Sequence, residues 1–400
     1  MHPKTQTGRR SVVVAAVGTT QTLAWASSYY LPAILAHDIA AATGMSRAWV
    51  FGIFSASLLL AAFLGPSVGR LIDRRGGAGV LIGSNLVFAL GLAALALSNS
   101  MTGLILSWAL LGVAMALGLY DAAFATLTAL YGHQARAPIT GVTLLAGFAT
   151  TIGWPLSAFL DAEIGWRGTC AAWALMHLVI GLPLNFFLIP REHQRGVEQR
   201  GATSWDFGKE MILLAYVFAA AWFVTGAMAA HLPALLERMG ASTKQAVAAS
   251  ALVGPAQVAA RLAEFMIIRH VHPLVSARIA AALHPAGAAL LGAIGLPASA
   301  AFALLHGAGN GLLTIARGTV PLALFGPLGY GARTGLLGAP ARAAQAAAPL
   351  AFGLLLDAMG PNVLWVSSGL CASALAVLFV LRPPSIRDTQ ADGQCGRSID

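Results

Sequence analysis

Residues 65–77 read GPSVGRLIDRRGG, a compact charged stretch set between two long apolar runs. Arg70, Asp73, Arg74 and Arg75 cannot rest in hydrocarbon, where insertion scales put each charge at roughly 2.5–3.5 kcal/mol. The stretch therefore predicts a short loop joining two membrane-crossing helices. The whole chain follows from that reading: of 400 residues, 58% are hydrophobic and 10% charged, with a mean hydropathy of +0.75. Soluble domains carry about 25% charged residues, so this composition cannot cover a water-facing surface.

A helix needs about 20 apolar residues to cross a bilayer. Runs of that kind predict helices at 12–36, 48–69, 79–98, 101–121, 138–160 and 168–189. A second set follows at 209–232, 245–268, 275–296, 298–317, 334–356 and 361–381. The expected organisation is a six-helix unit over residues 1–189, a polar cytoplasmic linker over 190–208, a second six-helix unit over 209–382, and a disordered cytoplasmic tail over 383–400. Lys4, Arg9 and Arg10 precede the first apolar run, and Ala24-Trp25-Ala26 has the small-residue form of a cleavage site. The polar interruption Thr19-Thr20-Gln21-Thr22 and the apolar continuation to Ala36 favour a retained first helix.

The net charge of +9 could suggest nucleic acid, but the basic residues lie in short loops, which points to topology. With an internal N-terminus, 18 of the 24 Lys and Arg fall on the cytoplasmic side and four on the other. Cationic loops stay inside, so both termini are expected in the cytoplasm, in a plasma membrane of the bacterial inner-membrane kind. The remaining two, Arg261 and Arg342, fall inside predicted helices. Three cysteines without paired spacing give no disulfide framework. No P-loop, HExxH or CxxC motif occurs, so the chain is read as a non-enzyme without metal or cofactor.

The opening stretch resembles the loop signature of the major facilitator superfamily: a glycine, three residues, Asp-Arg, one residue and a glycine. Gly69, Asp73, Arg74 and Gly76 occupy those positions, while Ala78 and Gly79 stand where the family carries a further basic pair. The halves also resemble each other, Ser46-Arg47 opening helix 2 as Thr243-Lys244 opens helix 8. Gly165-Trp166-Arg167 is similar to a family corner after helix 5. The resemblance implies an all-α membrane protein of two six-helix pseudo-repeats around a central cavity. It also implies that Asp73 meets the inner end of helix 11 and that Arg74 is held by an acidic group on helix 4, here Asp121. Glu264 joins these as a gating residue.

An intramembrane charge is a functional hypothesis by default. Arg261 and Arg342 facing one cavity would hold an anion, since a guanidinium grips a carboxylate in a bidentate fork. The alternative is an ion pair between Arg261 and Glu264, three residues apart. Gln257-Val-Ala-Ala-Arg261 is similar to the helix-8 motif of monocarboxylate transporters, in which an Asp precedes the substrate-binding Arg by four. A basic residue on helix 11 opposite that Arg resembles oxalate/formate exchangers. Gln257 cannot titrate, which shifts the balance towards exchange or a different proton carrier. Gln21, Trp25, Ser28 and Pro32 share a helix face, and with Tyr29 they form a polar-aromatic wall. Trp222, His306 and Asn310 are further cavity candidates.

The expected function is secondary transport of a small organic anion, by symport with a proton or by exchange with another anion. Efflux of lipophilic compounds and a non-transporting receptor of the same fold are the alternatives. The bilayer and a small anionic substrate are the expected partners, and nucleic acid is not.

Overall fold

The computed structural model describes residues 3–191, 208–267 and 270–382, so nearly all of the expected linker and the whole tail lie outside the described residues. The described residues form twelve helical passes. The first six are α1 (3–43, in the pieces Pro3–Ser27 and Pro32–Thr43), α2 (Arg47–Arg75), α3 (Ala78–Leu97), α4 (Met101–Gly118 and Tyr120–Tyr131), α5 (136–164) and α6 (166–188). The second six are α7 (Lys209–Arg238), α8 (Thr243–Ala251 and Val253–Met266), α9 (Pro273–Ile294), α10 (Ser299–Phe325), α11 (Tyr330–Met359) and α12 (Val363–Val380).

Local chemistry sets these limits. The Ser46 hydroxyl accepts from the Trp49 N–H and the Ser100 hydroxyl from the Gly103 N–H, each capping a helix start. Ser242 and Gln245 form a reciprocal capping box ahead of α8. Two passes fuse in sequence but part at Gly165, whose φ of +69° and ψ of 171° are open to glycine and costly for other residues. Arg167 fixes that corner: it lies over the Trp166 ring at 4.1 Å and donates to the Ser98 carbonyl and the Asn99 side chain.

Among the described residues, eight helical runs are long and apolar enough to cross a membrane, two of them holding more than one pass: Met101–Leu188 and Tyr330–Val380. Large apolar side chains point outward, Phe63 at 80% and Leu350 at 73% exposure, as lipid contact requires and water would not permit. Inside, each half has its own core, built around Phe88, Trp108 and Trp173 in the first and Phe218, Phe302 and Phe352 in the second.

Helix ends differ from the sequence reading in three places that matter. α2 runs on to Arg75, so Asp73 and Arg74 sit on its last turn and the loop shrinks to Gly76-Gly77. α4 does not end near Asp121: it breaks at Leu119 and resumes to Tyr131. α10 continues past Arg317 to Phe325, where Gly326 stops it. Asp121 and Arg317 are thereby placed deep in the bundle rather than at its edge.

Candidate functional site

The halves meet along α11. Its residues 331, 335, 338, 342 and 345, spaced four, three, four and three, face the first half, and the run spans about 21 Å at 1.5 Å per residue. At the loop end, the Asp73 carboxylate accepts the Gly331 and Ala332 backbone N–H groups at 2.9 and 2.8 Å. These are orphan donors at a helix start, which an anionic side chain satisfies while complementing the helix dipole. Gly76 lets α2 end there: its φ of +80° turns the chain, and its N–H closes on the Ile72 carbonyl at 2.8 Å. Gly65 and Gly69 pack directly on Gly335 and Gly331, so close that a Cβ on Gly69 would lie 2.0 Å from the Gly331 oxygen. Two small-xxx-small ridges thus bring the backbones into contact.

Deeper along the same seam sits an ionic cluster. Asp121 on α4 bonds Arg317 of α10 at 2.7 Å and Arg342 of α11 at 2.5 Å, with all three residues below 9% exposure. Arg342 also donates to the Ala61 carbonyl at 3.0 Å, and Arg317 lies over the Trp222 ring at 5.2 Å. Gly338 makes the room, since a Cβ there would press on both Arg317 and Asp121 at under 3 Å. Two expectations are corrected. Arg74 is exposed on the last turn of α2 and does not hold Asp121, whose oxygens are taken from the other half. Arg342 is not a free cation, because Asp121 neutralises it. Trp222 is a cation–π partner of this cluster.

Glu264 also differs from expectation. It accepts from Ser276 at 2.9 and 3.1 Å and from Arg136 of α5 at 3.3 Å, not from Arg261. Arg136 donates further to the Val271 carbonyl at 2.6 Å, making a second link between halves. Arg261 is consequently a buried guanidinium, 6% exposed, without a carboxylate partner among the described residues. It makes two long hydrogen bonds, to the Thr143 carbonyl at 3.4 Å and the Thr314 hydroxyl at 3.3 Å, and its Nε has none. Gly147 on α5 admits it: a Cβ there would stand 2.6 Å from Nη1. Gln257, one turn earlier on α8, is half-buried, and its backbone packs on Gly311.

Opposite stands an aromatic wall from the first half. Trp25 contacts Tyr29 at 5.2 Å, Tyr30 at 5.9 Å and Tyr120 at 4.9 Å between ring centres. Tyr30 and Tyr120 lie within the electrostatic field of Arg261. The Tyr29 hydroxyl accepts from Gln345 of α11 at 2.7 Å. Gln21 is buried and donates to the Gly118 carbonyl released at the α4 break. The Gln21 Oε1 and Trp25 Nε1 are buried without a partner.

His306 and Asn310 lie elsewhere, inside the second half. Asn310 accepts from Thr225, and the His306 and His284 Nδ1 atoms are 3.0 Å apart, with His284 Nε2 bonded to Ser367 at 3.0 Å. All of these but Ser367 line a cavity of about 30 Å³ whose lining does not include Arg261. Sequence reasoning missed Arg317, Tyr120 and Gln345. The Gly326-Pro327 stop signal, nine residues past Arg317, would have placed that arginine inside the helix.

Residues 17–298 match the family description Major Facilitator Superfamily. The chain belongs to the major facilitator superfamily. This superfamily member is also similar in fold to the crystal structure of the human organic anion transporter MFSD10 (TETRAN). That match has a TM-score of 0.70 at 19% identity and covers 94% of this chain and 100% of the other. At that identity the likeness speaks for the fold. A search of curated proteins finds no match to the chain. As a facilitator-type membrane transporter, the protein is not an enzyme.

Proposed function

We propose that this facilitator carries a small organic anion, a carboxylate, by alternating access, and that Arg261 anchors the anion's charge. The supporting observation is Arg261 itself. Burying an unpaired guanidinium costs several kcal/mol, yet the nearest carboxylate on its own helix, Glu264, is spent on Ser276 and Arg136. An incoming carboxylate supplies the missing partner. Trp25, Tyr29 and Gln21 serve as the facing wall, and Gln257 stands where monocarboxylate transporters have a titratable Asp. Arg342 contributes through the Asp121 cluster and not as a first contact.

The units 1–189 and 209–382 rock about the seam made by α2, α4 and α11, with both termini cytoplasmic. Moving Arg317 into the bundle leaves 17 cytoplasmic Lys and Arg against four, still a strong bias. A pump for lipophilic cations would need an available carboxylate in the cleft, and Asp121 is outnumbered by two guanidinium groups.

The test is uptake of radiolabelled acetate, lactate, oxalate and benzoate into proteoliposomes. Transport of at least one is expected in the wild type and its loss in Arg261→Gln. Undiminished uptake by Arg261→Gln would overturn the assignment.

A further inference from the structure

Three features of the cleft converge on a narrower ligand class. First, among the buried donors without a partner in the described residues are Arg261 Nε on the second half and Trp25 Nε1 on the first, and both ask for an acceptor. Buried polar groups are normally satisfied, so a ligand rich in acceptor oxygen would complete both walls. Second, the first-half wall is aromatic in depth. Trp25 is the centre of a run in which Phe54 meets Tyr29 at 5.7 Å, Tyr29 and Tyr120 meet Trp25, and Phe124 stacks on Tyr120 at 5.1 Å and 14°. Third, Trp25, Tyr29 and Tyr30 are only half-buried, so their ring faces are more accessible than the buried Arg261 guanidinium.

Resting on the anion reading of Arg261, we infer that the cargo is an aromatic carboxylate: a flat ring received by the half-buried faces of Trp25 and Tyr30, with its carboxylate on Arg261. An aliphatic acid of equal size would bury similar area, but ring–ring contacts gain beyond area alone, on the order of three- to tenfold in affinity. A small acid such as acetate would fill the charge site and leave the rings to each other. The Trp25 indole N–H then serves as a second donor to the carboxylate, which places this residue at the junction of the two subsites.

Calorimetric titration of the purified full-length protein with benzoate, cyclohexanecarboxylate and acetate separates these terms. Benzoate is expected to bind roughly three- to tenfold more tightly than cyclohexanecarboxylate, and acetate most weakly. In Trp25→Leu all three acids lose the indole N–H donor and bind more weakly, and the preference for benzoate over cyclohexanecarboxylate should disappear. Equal affinity for benzoate and cyclohexanecarboxylate in the wild type overturns the aromatic assignment, and needs no variant to fold. If all three acids bind equally and Arg261→Gln loses them, the anion site stands and only the ring preference falls. If Arg261→Gln binds benzoate as the wild type does, both readings fall.

Discussion

Asp73 caps a helix that belongs to the other half of the molecule: its carboxylate takes the Gly331 N–H at 2.9 Å, and with it the neighbouring N–H of Ala332. The contact exists only while α2 and α11 are together at the loop end. Removing a capping side chain costs about 1 kcal/mol, and Asp73→Asn retains an acceptor but gives up the charge facing the helix dipole. Asp73→Asn should therefore slow the transport cycle and leave ligand affinity nearly intact. Initial exchange rates set beside calorimetric affinities check this; a lost affinity with normal turnover would contradict it.

Gly69 offers a steric test of the same seam. A methyl group there would drive into the Gly331 carbonyl at 2.0 Å, a backbone atom that cannot swing aside. Gly79, at the start of α3, has nothing within 4 Å of an added Cβ. Gly69→Ala should lower the melting temperature and part α2 from α11, whereas Gly79→Ala should hold or raise it through better helix propensity. Equal melting behaviour of the two variants would argue against close backbone packing.

Much of this was legible in the sequence because charge and glycine are hard to hide in hydrocarbon. The helical passes follow from apolar length, and the Gly69 to Gly76 signature made the contact of Asp73 with α11 readable in advance. The ionic cluster was harder to read, because two helices run on past polar residues that look like helix ends. Asp121 looked like the end of α4, yet Leu119 only kinks the helix and Gln21 of α1 takes up the Gly118 carbonyl. Arg317 looked like a loop cation, yet Thr319 to Phe325 extend the helix to Gly326. Spacing also misled at Arg261 and Glu264: three residues apart permits a pair, but Ser276 and Arg136 claim the carboxylate first.

The cluster predicts an asymmetry between its members. Arg317, Arg342 and Asp121 together carry one excess positive charge. Arg342→Gln leaves a balanced Asp121–Arg317 pair, whereas Asp121→Asn leaves two buried guanidinium groups without a counter-ion. Breaking a buried ion pair from one side costs about 3–5 kcal/mol, and Asp121→Asn should approach that figure while Arg342→Gln falls well below it. Thermal or denaturant melting of the two variants in the same detergent decides, and a larger loss for Arg342→Gln would refute this account of the charges.

At the loop end, His272 provides a pH-dependent contribution outside the membrane-spanning segments. Its Nδ1 accepts the Leu274 N–H at 3.2 Å and so caps α9. Burial, then the neighbouring Arg136 and Arg278, push its pKa below the ordinary 6.5. The folded protein thus favours neutral imidazole, which is also the form able to accept the cap. The stabilisation is complete above the unfolded value of 6.5 and is lost as pH falls through the lower folded value. His272→Asn keeps a capping acceptor and removes the titration. Melting curves between about pH 7.5 and pH 5 should show the wild type losing more stability on acidification than His272→Asn, and parallel curves would exclude this histidine as a source of the acid sensitivity.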